Sequence, residues 1–351
     1  MPIQERLPIT VEAGTSFALF VALAAASRAP RVALHPELRA ALDAVGDTEG
    51  EAWLNLLGVP LDVGARTADD LLRVVDTMDP VELRLHLLGR HAWSWCTLAG
   101  VDDIERAARG DAAASARLLA HRRYYGGHAA ASLGVLLPLD PLETRDHIAD
   151  AIAAGSRSLL DADATAKLAG EAERARSTLD ASPSVAAIER LTSGYRYVPE
   201  PEAERVVLVP HLEPGLRLVL AQHRSSRLVA YLATPDTSSE DRLLTLGRAL
   251  ADPKRVEILA LVGRGLGRAA DLVDATGLTR STVHHHLAQL RAAGLVVLEG
   301  NARAYTYVPR REAAEEAAAL VADITRTEGE SCGTRCSAGA GSGSPSWRSA
   351  R

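Results

Sequence analysis

The sequence predicts a mainly α chain with short β segments (α+β). An N-terminal helical domain is closed by a small antiparallel sheet, and a smaller helical module ending in a hairpin follows it. Three observations carry this reading. From Thr15 to about Ser193 apolar residues recur at helical spacing. Near Tyr195 the period shifts to short β-rich runs. Residues 242–311 then return to helices before two last strands.

In the first stretch, Leu71, Leu72, Val75, Leu83, Leu85, Leu87 and Leu88 fall largely at helical spacings. Ala114, Leu118, Leu119 and Ala129 likewise surround a polar stripe with Arg117, His121 and Arg122. Asp79-Pro80 and Asp140-Pro141 look like helix starts, an Asp cap before a proline that needs no amide hydrogen in the first turn. Val206–Val209, Leu216–Leu220 and Leu228–Leu232 read as strands separated by Pro210, Pro214 and the tetrad Arg224-Ser225-Ser226-Arg227. A three-stranded antiparallel sheet over 205–232 is therefore expected, within a domain spanning 1–234 that binds an effector or helps dimerise. The polar stretch Thr234 to Glu240 reads as a linker, the second module as 240–326, and the Gly/Ser-rich residues 328–351 as a disordered tail.

In the second module, Leu243, Leu246 and Leu250 form one stripe, and Asp252-Pro253 opens another helix. Arg268 to Thr276 is a short helix followed by Gly277-Leu278. Thr279 is a natural N-cap for a helix to about Ala293, with Val283, Leu287 and Leu290 on its buried face and Gly294 past its end. Two helices about a glycine turn, the second with polar residues near its start, are a helix-turn-helix, whose second helix lies in the DNA major groove. Its outward positions are Arg280, Ser281, His284 and His285, flanked by Thr279, Thr282 and, from the preceding helix start, Arg268. Arg can bond guanine bidentately, and Ser and His are shorter donors or acceptors. Leu295–Leu298 and Ala304–Val308 flank a turn as a wing, with Arg303 at its tip to reach phosphate or a minor groove.

The segments ALADPKRVEILALV, AADLVDATGLTRSTVHHHLAQLRAAGLV and EGNARAYTYV, in that order and spacing, resemble the ArsR/SmtB-type winged-helix repressors of bacteria, over about 70 residues. The resemblance implies a homodimer on an inverted-repeat operator in double-stranded DNA, released by an inducer, with Arg280, Ser281, His284 and His285 reading bases. His286 then occupies a structural, half-buried position. The usual metal sites of that family are missing here: RAADLVDAT holds no Cys or His, and Arg311 to Thr325 holds Glu and Asp but no His. What Ala313, Ala317, Leu320, Val321 and Ile324 do offer is an apolar stripe fit for a dimer interface. The long N-terminal domain is unlike the minimal members of the family.

Several sharper readings are set aside. Consecutive helical residues point about 100° apart, so His284-His285-His286 cannot close on one ion. Cys332 and Cys336 are the alternative metal candidates, as two thiolates in a Gly/Ser-rich tail. A site from His86, His91, His121 and His128 is set aside for core packing, so no metal and no cofactor is expected. Trp93, Trp95, Tyr124, Tyr125 and His128 gather scarce aromatic residues and are the candidate effector pocket. Gly263-Arg264-Gly265-Leu266-Gly267 follows a helix rather than a strand, which argues against a nucleotide loop. An enzyme in the N-terminal domain is the alternative function, but residues 1–240 offer no nucleophile–base pair or phosphate loop.

The chain has 351 residues, room for two domains, and a net charge of −6. That total hides opposites. Residues 242–311 hold eleven basic and five acidic residues, a local +6, while residues 1–241 hold 24 basic and 34 acidic, giving −10. The basic module suits a phosphate-bearing partner, and the acidic bulk disfavours unspecific contact with one. Three cysteines make no disulfide framework and suit a reducing compartment. Phe17 to Ala26 is apolar but far short of the ~20 residues of a membrane span, and Glu5 and Glu12 argue against a secretory leader. A cytoplasmic protein with no membrane contact is expected.

Overall fold

The computed structural model describes residues 7–182, 184–233, 238–301 and 304–325. The chain is mostly helical, as the apolar periodicity predicts. Its first helix, α1 (Thr15–Arg28), is apolar on every side, and Leu19, Phe20, Val21 and Leu23 are fully buried. A helix of that kind is stable only at the centre of a core, and the other N-terminal helices wrap it. Helix α2 (Pro80–Leu87) starts where expected, the Asp79 side chain accepting from Val81 and Glu82 amides. Helix α3 (Pro141–Leu159) starts in the same way at Asp140 and packs on α1 through Gly155. A Cβ there would stand 2.8 Å from Leu23. Helices α4 (Ala162–Ala181) and α5 (Val185–Leu191) carry the chain to the β-rich region.

The sheet differs from the expected three-stranded antiparallel one. It has four strands in the order β1 (Ile9–Val11), β3 (Arg205–His211), β5 (Ser226–Leu232), β4 (Leu218–His223). Both β1 and β5 run parallel to β3, and only the β4–β5 hairpin is antiparallel. The physical reason lies in β3, where Val206 and Leu208 face one core cluster and Val207 and Val209 the other. A strand buried on both faces suits the centre of a covered, partly parallel sheet. Three-residue β1 is too short to show any alternation.

Strand β2 (Tyr195–Tyr197), also unforeseen, leaves this sheet altogether. It pairs parallel with β6 (Val296–Gly300), which pairs antiparallel with β7 (Tyr305–Pro309). Residues from the N-terminal stretch thus extend the sheet of the C-terminal module. That module runs α6 (Ser239–Leu250), α7 (Pro253–Gly263), α8 (Ala269–Thr276), α9 (Arg280–Ala292), β6, β7 and α10 (Ala313–Thr325). Among the described residues no helix is long and apolar enough to cross a membrane.

Candidate functional site

The C-terminal module has a small core of its own. Ile258, Val262, Leu272, Val283, Leu287, Leu290 and Val296 close it, drawn from α7, α8, α9 and β6. Its local signals act as the sequence implies. Asp252 accepts from the Lys254 and Arg255 amides at the start of α7, and Gly277 takes the left-handed φ of +68° between α8 and α9. Thr279 caps α9, its Oγ1 accepting from the Thr282 amide at 3.2 Å. Arg255 donates to the carbonyls of Ala249 at 2.9 Å and Arg248 at 2.7 Å, where α6 ends.

With one face of α9 buried, the other is open. Thr279, Arg280, Ser281 and His285 are exposed, Thr282 and His284 are half-buried, and Arg268 is exposed at the start of α8. Burial, with Arg280 adding to it, pushes the His284 imidazole below its ordinary pKa and so favours its neutral form. His286 is buried, and burial likewise holds its pKa down. The three consecutive histidines thus take different environments. The Thr279, Ser281 and Thr282 hydroxyls form a small cluster, 3.0 and 2.8 Å from Thr279 Oγ1. Arg303, and likewise Cys332 and Cys336, lie outside the described residues.

The hairpin is seated by a close approach. A Cβ on Gly267 would stand 2.1 Å from the Tyr307 carbonyl oxygen, and the Tyr307 amide donates to Gly267 at 2.8 Å. Three helices, a glycine turn and a strand pair so arranged define a winged helix-turn-helix. Residues 252–297 match the arsR family of bacterial regulatory proteins, so the chain carries an arsR-family helix-turn-helix domain. Over 68 residues it is 46% identical to the HTH-type transcriptional regulator CmtR of Mycobacterium bovis and of Mycobacterium tuberculosis. The match covers 19% of this chain and 58% of those regulators' length. No solved structure matches the chain.

The candidate effector-pocket residues divide between buried and exposed positions. Tyr124 and Tyr125 are fully buried and donate to the Leu88 carbonyl, at 2.6 Å, and to the Leu87 carbonyl, at the end of α2. Trp95 packs on both, with ring centroids 5.6 and 5.8 Å away. Trp93 and His128 are exposed. His86 and His91 do come together, but with His223 rather than His121 and His128. Nothing in the sequence pointed to His223, which lies more than a hundred residues further along.

Contacts that tie the wing to the N-terminal domain were equally hidden. Arg196 on β2 bonds Glu189 at 2.8 Å and Glu299 on β6 at 3.1 Å. The buried Arg291, near the end of α9, donates to the Thr192 carbonyl at 3.3 Å.

Proposed function

We propose that the protein is a cytoplasmic, homodimeric transcriptional regulator that binds an inverted-repeat operator in double-stranded DNA. On this reading it is a repressor relieved when its N-terminal domain takes up an effector. The observation that carries it is the exposure of Arg280, Ser281 and His285 at the start of a helix whose opposite face, at Val283, Leu287 and Leu290, is fully buried. Such a helix presents its donors rigidly, and residues at its N-terminal end are those that meet base edges. The local +6 of residues 242–311 favours the same partner.

Dimerisation draws support from α6 and α10. No residue of α10 is buried, and Leu244, Val321 and Ile324 are 55%, 47% and 39% exposed. Leu243, Leu244, Gly247, Ala251 and Ile324, with Glu240 and Arg248 beside them, line a mainly apolar groove between the two helices. A second copy laying the same surface across a two-fold axis covers it, and the two recognition helices then face repeated half-sites. Signalling to the wing draws support from β2, whose register pairs Arg196 with Glu299 and Tyr197 with Gly300.

Footprinting on DNA upstream of the protein's own gene, with and without added metabolites and metals, tests the reading. A protected palindrome that an effector releases is the expected result. Equal affinity for every fragment, unchanged by Arg280→Ala, would overturn it.

A further inference from the structure

We propose that His86, His91 and His223, together with Asp62 and Glu82, bind one divalent transition-metal ion inside the N-terminal domain. The donors converge from separate parts of the fold. Asp62 belongs to the short helix Val59–Val63, Glu82 and His86 sit one turn apart on α2, His91 follows that helix, and His223 ends β4. The donor atoms of Asp62, His86 and His223 all lie within 4.8 Å of one another, and so do those of Glu82, His86 and His91.

His86 is the shared member, with a side chain only 2% exposed. Its Nε2 is aimed between two carboxylates, 3.7 Å from Asp62 Oδ2 and 3.6 Å from Glu82 Oε1. Those separations are too long for hydrogen bonds. They approach the ligand–ligand edge of about 3.3 Å that follows from tetrahedral bonds of about 2.0–2.1 Å. His91 Nε2 is hydrogen-bonded to the same Glu82 oxygen at 3.2 Å, and His223 Nε2 to Asp62 Oδ1 at 2.8 Å, so binding an ion would displace the proton shared by each pair. The three ring centroids are 4.5, 5.5 and 5.4 Å apart, with His86 and His223 stacked 13° from parallel and His91 set across both, so joint coordination requires a ring to turn.

The backbone is shaped to admit this arrangement. A Cβ on Gly58 would stand 2.1 Å from His223 Nδ1, so only glycine lets that ring in, although its φ of −78° suits any residue. Asp62 is held at the cluster by Arg224, 2.8 Å away, and Glu82 faces both His86 and His91, so the two carboxylates are fixed beside the rings. Imidazole with carboxylate suits Zn²⁺, Co²⁺ or Ni²⁺ better than Ca²⁺ or Mg²⁺, which prefer oxygen alone. No residue of α9 or the wing takes part, so this site stands or falls apart from DNA reading.

The test is titration of the chelator-treated full chain, carrying Cys332→Ser and Cys336→Ser, with Zn²⁺ and Co²⁺. One equivalent should bind and raise the melting temperature. Cobalt should show visible d–d bands without thiolate charge transfer. His86→Gln and His223→Gln should each weaken binding by about 10–100-fold, the range known even for second-shell partners, or by more. Glu82→Gln, on the more exposed side of the cluster, should keep the fold and still weaken binding measurably. Circular dichroism identifies which variants are folded. Failure of the folded parent to bind any of Zn²⁺, Co²⁺ or Ni²⁺, or undiminished affinity in every folded variant, would overturn the site.

Discussion

Two groups of three histidines in this molecule are built in opposite ways. His284, His285 and His286 are consecutive on α9, yet His285 is exposed, His284 half-buried and His286 buried. His86, His91 and His223 are spread over the N-terminal domain, yet their rings meet within 5.5 Å. The difference follows from helical geometry. Neighbouring residues on a helix diverge by about 100°, so a run along the chain divides among faces. Residues on different elements can converge because packing directs each toward the same interior. The first arrangement leaves groups facing outward, and the second turns them toward the interior.

Experiments can sharpen that contrast. The largest effect is expected where the presenting helix is anchored. Leu287→Ala removes a fully buried side chain from a core of few members. It should cost about 2–5 kcal/mol and abolish DNA binding by loosening α9, as denaturant unfolding followed at the C-terminal module will show. Gly58→Ala attacks the enclosing arrangement by placing a methyl group against His223. A loss of about 1–3 kcal/mol in chemical unfolding is expected, with little effect on DNA affinity. A large loss of DNA affinity with the fold intact would show the two regions to be coupled through β2.

Arg280→Ala should leave the melting temperature unchanged and reduce discrimination at one base position by about 1–3 kcal/mol in competition binding. A comparable loss of thermal stability would mean that Arg280 is not simply presented.

A solitary buried histidine supplies a control for the cluster. His211 at the end of β3 is fully buried, and burial holds it down to about 4 against an unfolded value near 6.5. The folded state keeps the neutral ring, so the unfolded chain binds the extra proton. His211's contribution is therefore complete above about pH 6.5 and is lost as pH falls toward 4, with a slope of about 1.4 kcal/mol per pH unit at most. His211→Asn, whose side-chain oxygen can replace Nδ1 as acceptor for the Glu213 amide, should flatten the acid limb of a melting-temperature profile. The smallest effect is expected at Arg268, exposed at the start of α8. Its replacement by Ala should weaken binding about equally across sequences and lower the salt slope by about 1.

The C-terminal module was legible because its signals are local. The caps at Asp252 and Thr279, the turn at Gly277 and the apolar spacing of Val283, Leu287 and Leu290 each lie within a few residues of what they specify. The order and type of the sheet were not legible, since whether β3 receives a parallel or an antiparallel neighbour depends on which distant strand fills its edge. The aromatic residues near Tyr124 were visible as a group, but composition alone could not separate a packed cluster from a lined pocket. In the structure Trp95 and Tyr125 stack with ring centroids 5.8 Å apart.

By itself, then, the sequence determined the mainly helical character, the helix-turn-helix with its buried and open faces, and the division of charge between acidic bulk and basic module. These depend on periodicity, capping and composition, which act over one or two turns of chain. Only the tertiary structure decided that Tyr195–Tyr197 would join the wing and that His223 would meet Asp62 and His86. Such contacts join residues separated by a hundred positions or more, and the packing of the whole domain selects them, not any local preference of the chain.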